Sequence, residues 1–131
     1  MGADVLLFVL IMSLAGSALG TFTGLVPGIH VNTLAAVMLA SYPAVSSVTE
    51  GFAPPEYVPV MVSACIVSAS VVHSFVDFIP SVFIGAPDAD EALTMLPGHR
   101  LLMDGRGMAA VRAAAAGSAV GAFFSVLLSV P

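Results

Sequence analysis

The sequence predicts an all-α fold: a polytopic transmembrane helix bundle in which some helices are broken by glycine and proline or are re-entrant. Hydrophobic residues make up 59% of the chain and charged residues only 8%, whereas soluble domains carry about 25% charged residues. Four stretches approach the roughly 20 apolar residues that a membrane-spanning helix needs. They are residues 5–26, 29–48, 57–79 and 109–130, with a cytoplasmic-type loop at 80–108. We expect residues 1–131 to form a single transmembrane domain.

The first stretch is predicted to be a retained membrane helix rather than a signal peptide. The residues before it, MGAD, include an aspartate and no basic residue, which is the opposite of a signal-peptide start. Gly16, Gly20, Gly24 and Gly28 recur at every fourth position and therefore line one stripe of a helix. A stripe without side chains lets a second backbone approach closely, which is how helices associate in lipid.

The Pro27-Gly28 pair is predicted to break this helix, because proline cannot continue the backbone hydrogen bonds and glycine can turn the chain. The second stretch starts directly afterwards, which is too soon for an ordinary loop between two full spans. It is therefore either the second arm of a sharp hairpin or a re-entrant or tilted half-helix, covered by protein or a cavity. Pro43 is expected to kink or end it.

Polar side chains follow the break: His30, Asn32 and Thr33. A helix that starts near Gly28 offers unpaired backbone N–H groups and about half a positive charge at its N-terminus. Asn32 and Thr33 add donors and His30 can donate or titrate, so the sequence predicts capture of an anion such as a carboxylate. A broken helix of this kind is typical of transporter binding sites. The alternative is that Asn32 and Thr33 only cap helices and hold them together.

The third stretch carries a polar stripe. Its members share about 60° of a helix surface: Ser63, Ser70, Ser74 and Asp77, with His73 beside them. Such a stripe faces a bundle interior or water rather than lipid. His73 and Asp77, one turn apart, are candidates for a proton- or sodium-coupling pair; alternatively, Asp77 lies at the membrane interface and caps the next element. The spacing fixes no third ligand, so no metal site is predicted.

Residues 80–108 hold a second group of turn residues. The acidic run Asp88–Glu91 predicts the start of a short helix that ends at Pro97-Gly98. The simplest interpretation is that this acidic run forms a solvated helix N-terminus. The functional alternative is that Asp88 coordinates a cation beside the opened backbone of Gly85-Ala86-Pro87.

All three basic residues lie in or next to that region: Arg100, Arg106 and Arg112. The positive-inside rule therefore places the region in the cytoplasm and the loop at residues 49–56 outside, while the orientation of the N-terminus stays open.

The fourth stretch repeats the small-residue pattern, with Ala113, Gly117, Gly121 and Ser125 at every fourth position. The chain then stops at Pro131 without a polar tail, so we expect a truncated protein.

Two sets of these residues resemble a known family. Gly20, Gly24 and Pro27-Gly28 form an early Gly-rich Pro-Gly motif. A second element leads into an Ala/Gly-rich helix through Gly85-Ala86-Pro87, Ala92, Pro97-Gly98, Leu101, Gly105, Gly107 and Ala109. In this order they resemble the N-terminal portion of the large permease subunit of tripartite tricarboxylate transporters, the TctA family. The chain departs from the family at Ile29–Thr33, where many members carry more glycine and proline, and at Pro97-Gly98-His99.

The resemblance implies a permease subunit of a secondary transporter for small organic anions of the tricarboxylate or dicarboxylate class, coupled to an ion gradient. We expect a multi-pass protein of the plasma or inner membrane, in contact with lipid. A small membrane subunit and an extracytoplasmic solute-binding protein are the implied partners. The candidate substrate-binding residues are Gly24, Pro27, Gly28, His30, Asn32, Thr33, Gly85 and Pro87. The candidate residues for coupling to Na⁺ or H⁺ are His73, Ser74, Asp77 and Asp88.

The competing hypothesis is a non-transport membrane protein, either an intramembrane enzyme or a helix-packing subunit. We predict no catalytic residues and no cofactor, because metalloprotease, nucleophile-elbow and phosphate-loop motifs are missing from the sequence. Three basic residues and a net charge of −5 give no basic patch for nucleic acid. A packing subunit would explain the glycine stripes but not the polar stripe or the two Pro-Gly pairs. Transport is therefore favoured.

Overall fold

Helices account for every regular element in the residues that the computed structural model describes, which are 3–49, 51, 53–85 and 92–129. The α-helices are α1 (Ala3–Leu25), α2 (Val31–Ala40), α3 (Tyr42–Thr49), α4 (Val58–Val76), α5 (Phe78–Ile84), α6 (Ala92–Met103) and α7 (Gly107–Ser129), with a 3₁₀ turn at Pro55–Tyr57. The predicted all-α class is confirmed. The chain divides into two compact units, Met1–Val76 and Asp77–Pro131.

In the first unit, α1 packs directly against the backbone of α4. A Cβ atom added at Gly16 would overlap the carbonyl oxygen of Cys65, and one added at Gly20 would overlap that of Ala69. The predicted glycine stripe is therefore the surface on which two helix backbones meet. Residue numbers rise together along the two helices, from Gly16 beside Cys65 to Gly20 beside Ala69. Helices α1 and α4 consequently run parallel.

A parallel pair requires the chain between the two helices to travel back along their length. Because Gly16 is level with Cys65, Val58 is level with Val9, about 24 Å from Leu25 at 1.5 Å per residue. Helices α2 and α3, about 15 and 12 Å long, would together extend about 23 Å when bent by 59°. The bent pair thus has the length of the whole return path.

The breaks around α2 have local causes. Ile29 N–H donates to the Val26 carbonyl oxygen at 3.3 Å, with proline and then glycine between them, and Gly28 has a φ of +88°. These are the features of a type II turn, whose third residue needs a positive φ. Helix α2 ends at Ala40, with Ser41 as its C-cap residue, shortly before Pro43, because proline lacks the N–H that would continue the ladder. The expectation that Pro43 ends or kinks the second stretch agrees with this position.

A proline also explains the break that follows α4. Pro80 has no N–H for the carbonyl of Val76, the last residue of α4, and its ring would clash there in a continuous α-helix. Helix α5 therefore starts afresh at Phe78, with Asp77 in front of it.

In the second unit, glycines again allow close packing. A Cβ at Gly98 of α6 would lie 3.0 Å from Val82 and 3.3 Å from Phe78 of α5. The prediction that a short helix ends at Pro97-Gly98 is wrong: α6 continues to Met103 with Pro97 inside it. Pro97 removes one backbone hydrogen bond from α6, and the next residue, Gly98, packs closely against α5. Residues 80–108, expected to be a loop, thus contain all of α6 and most of α5, while Asp88–Glu91 lie outside the described residues.

Apolar outer surfaces place the chain in a membrane. Large side chains of α1 are directed away from α4, and Leu14 is 71% exposed. Among the described residues, three stretches are long and apolar enough to cross a bilayer, namely Asp4–Leu25, Pro55–Ile84 and Gly107–Ser129, and the bent pair α2–α3 is a fourth candidate. Such surfaces are stable in lipid and not in water.

Candidate functional site

The break between α1 and α2 builds a helix N-terminus with polar side chains. His30 is the N-cap residue of α2, and its carbonyl oxygen accepts hydrogen bonds from Thr33 N–H at 3.0 Å and Leu34 N–H at 3.4 Å. The N–H groups of the two preceding residues, Val31 and Asn32, come too early in α2 to have an acceptor within the helix itself. Those at the start of α2 are therefore suited to an anion.

The structure brings most of the predicted substrate-binding residues together at this break. Pro27 and Gly28 lie in the exposed turn, and the side chains of His30, Asn32 and Thr33 are exposed at the start of α2. Gly24 differs, since it is buried in the last turn of α1.

The second predicted element belongs to the other unit. Gly85 ends α5 with a φ of +72°, and its N–H donates to the Ser81 carbonyl oxygen at 3.1 Å. Pro87 and Asp88 lie outside the described residues.

Among the predicted coupling residues, His73 occupies the most enclosed position. Its side chain is 5% exposed, and its Nδ1 lies 3.0 Å from the Thr23 hydroxyl oxygen. Ser74 is exposed and donates to the Ser70 carbonyl oxygen at 3.0 Å. Asp77 precedes α5, and its backbone carbonyl accepts a hydrogen bond from the Ser81 hydroxyl at 2.9 Å.

His73 lies on a different face of α4 from the serines with which the sequence analysis grouped it. The buried side chains of α4 are Val58, Met61, Val62, Cys65, Ala69 and His73, so His73 belongs to the face that packs against α1. Ser63 and Ser74 are exposed and Ser70 is half-buried. Ser70 donates to the Ile66 carbonyl oxygen of its own helix. A helical projection gives the angles between side chains, but it does not show which part of the helix surface a neighbouring helix covers.

Sequence reasoning missed the hydroxyl groups that join α1 to α4. The Ser68 hydroxyl donates to the Ser13 carbonyl oxygen at 2.8 Å and lies 3.0 Å from the Ser17 hydroxyl. The Ser17 hydroxyl also donates to Ser13, at 2.9 Å. Thr23, the partner of His73, is 6% exposed. The sequence signal that could have revealed them is the serine and threonine residues beside the glycine stripe. Such side chains commonly form hydrogen bonds between closely packed helices in membranes.

The residues from the first helix onward match a known family. Residues 10–131 match the Tripartite tricarboxylate transporter TctA family. The chain belongs to this family. The resemblance carried by the two Pro-Gly elements is thereby confirmed.

The chain is also similar in sequence to a curated protein from Methanocaldococcus jannaschii. It is an uncharacterized protein, 37% identical over 120 residues, which cover 92% of this chain and 27% of the relative. The chain therefore spans about a quarter of the relative's length. No solved structure matches the chain.

Proposed function

We propose that the protein is the permease subunit of a secondary transporter that carries small organic anions of the tricarboxylate or dicarboxylate class. The observation that supports this most is the break between α1 and α2, because it directs a helix N-terminus and the exposed side chains of Asn32 and Thr33 to one place. Membership of the TctA family supports the transport of a carboxylate.

The proposed binding chemistry is electrostatic and directional. A carboxylate accepts hydrogen bonds from the first N–H groups of α2, where the helix dipole also favours negative charge. Asn32 donates through its amide, Thr33 through its hydroxyl, and His30 through its ring. Gly85 and Pro87 remain candidate substrate-binding residues because of their place in the family motif alone. Transporter sites are commonly built in this way from discontinuous helices.

The proposed membrane topology follows from the parallel pair. A re-entrant loop between α1 and α4 would return to its own side and make these helices antiparallel, so we assign α2–α3 as a broken span that crosses the bilayer. The basic residues Arg100 and Arg106 follow α4 in the chain, and the positive-inside rule places them in the cytoplasm. The N-termini of α1 and α4 are then both extracytoplasmic.

The proposed setting is the plasma or inner membrane, with transport driven by an ion gradient. A tripartite family implies two further subunits. We assign these as a small membrane subunit and an extracytoplasmic solute-binding protein that delivers the anion.

Uptake of labelled dicarboxylates and tricarboxylates into membrane vesicles that contain the protein tests the proposal. We expect saturable uptake and at least a tenfold loss in Asn32→Ala, since one hydrogen bond to a charged ligand contributes about 1.5–3 kcal/mol. Ser47→Ala is the matched control, because Ser47 is exposed and its hydroxyl bonds to the Ala44 carbonyl of its own helix. Absence of carboxylate uptake by a folded, inserted protein would refute the substrate class. Equal uptake by Asn32→Ala and Ser47→Ala would refute the site.

A further inference from the structure

Thr23 and His73 form a buried pair between two parallel helices. They are 6% and 5% exposed, and the Thr23 hydroxyl oxygen lies 3.0 Å from His73 Nδ1. Thr23 is in the last turn of α1 and His73 in the last turn of α4. His73 lies within the apolar stretch Pro55–Ile84. An ionisable side chain at such a position usually has a function.

The hydroxyl of Thr23 has one proton and three acceptors within reach. They are His73 Nδ1 at 3.0 Å, the Leu19 carbonyl oxygen at 3.0 Å and the Gly20 carbonyl oxygen at 3.2 Å. When the hydroxyl donates to His73, Nδ1 must be unprotonated. When it turns to Leu19 or Gly20, its oxygen can accept a hydrogen bond from a protonated Nδ1. The pair therefore keeps its hydrogen bond in both protonation states of the imidazole.

We propose that His73 is the proton-binding site that couples transport to a proton gradient, with Thr23 as its positioning residue. This inference rests on the proposed transport function and names its coupling ion. In the step itself, neutral His73 with its proton on Nε2 accepts the Thr23 hydroxyl proton as a hydrogen bond at Nδ1. A proton from one aqueous side then binds Nδ1, and the Thr23 hydroxyl rotates to donate to Leu19 or Gly20. Release on the other side reverses both changes.

The surrounding charges are compatible with an imidazolium at this position. The C-terminal ends of both α1 and α4 lie at the pair, and a helix C-terminus attracts positive charge. The acidic residue of α1 is Asp4, at the opposite end of that helix, and Glu56 lies beyond the opposite end of α4. Among the described residues of the first unit, the remaining titratable side chains are those of His30, Tyr42, Tyr57 and Cys65. Asp77 follows α4 in the chain, one helical turn after His73.

The pair is joined through the backbone to the proposed substrate site. The Thr23 carbonyl oxygen accepts a hydrogen bond from Val26 N–H at 3.3 Å, and the Val26 carbonyl oxygen accepts one from Ile29 N–H. A change in the hydrogen bonding of Thr23 is therefore adjacent to the turn that positions the start of α2. Because of this proximity, a proton that binds His73 can alter the substrate site through a few backbone hydrogen bonds.

The test is the pH profile of carboxylate uptake in vesicles, driven by an imposed pH gradient without sodium. Thr23→Val removes the hydrogen bond from both states of the ring, and the bond to the charged ring is roughly twice as strong as the bond to the neutral ring. The substitution therefore weakens proton binding about tenfold, so the profile moves about one pH unit lower and acid restores uptake. Thr23→Ser keeps the hydroxyl and is expected to match the wild type. Thr21→Val is the matched control, because Thr21 is exposed on the same helix and bonds to the Ser17 carbonyl oxygen.

Three results would overturn the inference: the same pH profile in Thr23→Val as in Thr21→Val, a loss of uptake in Thr23→Val that acid does not restore, or accumulation that follows a sodium gradient at constant pH. Absence of carboxylate uptake by the wild type would instead refute the transport function. In that case, titration of the His73 imidazole by infrared difference spectroscopy on the purified protein decides the site. A titration unchanged by Thr23→Val refutes it, and one shifted to lower pH supports it.

Discussion

Replacement of Gly20 by alanine tests the parallel α1–α4 contact on which the site depends. The added Cβ would overlap the Ala69 carbonyl oxygen, a backbone atom that cannot rotate away, so the two helices must separate. Overpacking of this kind costs about 1–3 kcal/mol, and the better helix propensity of alanine offsets about 1 kcal/mol of it. We expect a net loss of up to about 2 kcal/mol in the free energy of unfolding.

The matched control is Gly121→Ala in α7, where an added Cβ meets nothing within 4 Å among the described residues. Helix propensity alone then predicts a gain of up to about 1 kcal/mol. Reversible unfolding of the purified protein in mixed detergent micelles gives both free energies. If Gly20→Ala is as stable as Gly121→Ala, the close contact of α1 with α4 is not present in the membrane protein.

Three further changes test the same unit. Gly28→Ala places a Cβ at a φ of +88° with open space around it. We therefore expect a loss of about 1–2 kcal/mol in unfolding free energy from backbone strain alone. The same unfolding assay should show a smaller loss in Gly28→Asn. Ser68→Ala removes the hydrogen bond to Ser13; interhelical bonds in membranes average about 0.6 and reach about 1.7 kcal/mol, and a larger loss would indicate a further role. Single cysteines at Asp4 and Glu56 should react with an impermeant thiol reagent from the same, extracytoplasmic side, and labelling from opposite sides would refute the parallel arrangement.

The glycine stripe of α1 could be predicted because its signal is local. Four-residue spacing places Gly16 and Gly20 on one line of any helix, and little except a close backbone contact requires such a line. The end of α2 near Pro43 could also be predicted, because its sequence signal is local too. These features need no knowledge of what lies elsewhere in the chain.

Other features depend on contacts between distant residues. Sequence alone left the second stretch as a hairpin arm or a re-entrant half-helix, because its apolar composition suits both; the register of Gly16 against Cys65 was needed to show that α2–α3 runs back along α1. Pro97 is a helix terminator by local rules, yet Gly98 packs on α5 and α6 continues. Thr23 carried no separate signal, since its role depends on the approach of His73 from a helix fifty residues away.

The two parts of the first unit differ in how firmly they are held, and this difference fits the proposed transport cycle. Helices α1 and α4 are joined by backbone contact at the glycines and by the bonds of Ser68 and Thr23. Helices α2 and α3 contain no buried residues among those described, so little apolar packing opposes their movement. Alternating access requires one element to move against another around the bound ligand. We propose that the movable element of this unit is α2–α3, with the turn at Val26–Ile29 as its hinge and the anion bound at its N-terminus. In this proposal the proton on His73 acts through Thr23, whose carbonyl oxygen accepts a hydrogen bond from Val26 at the start of the turn.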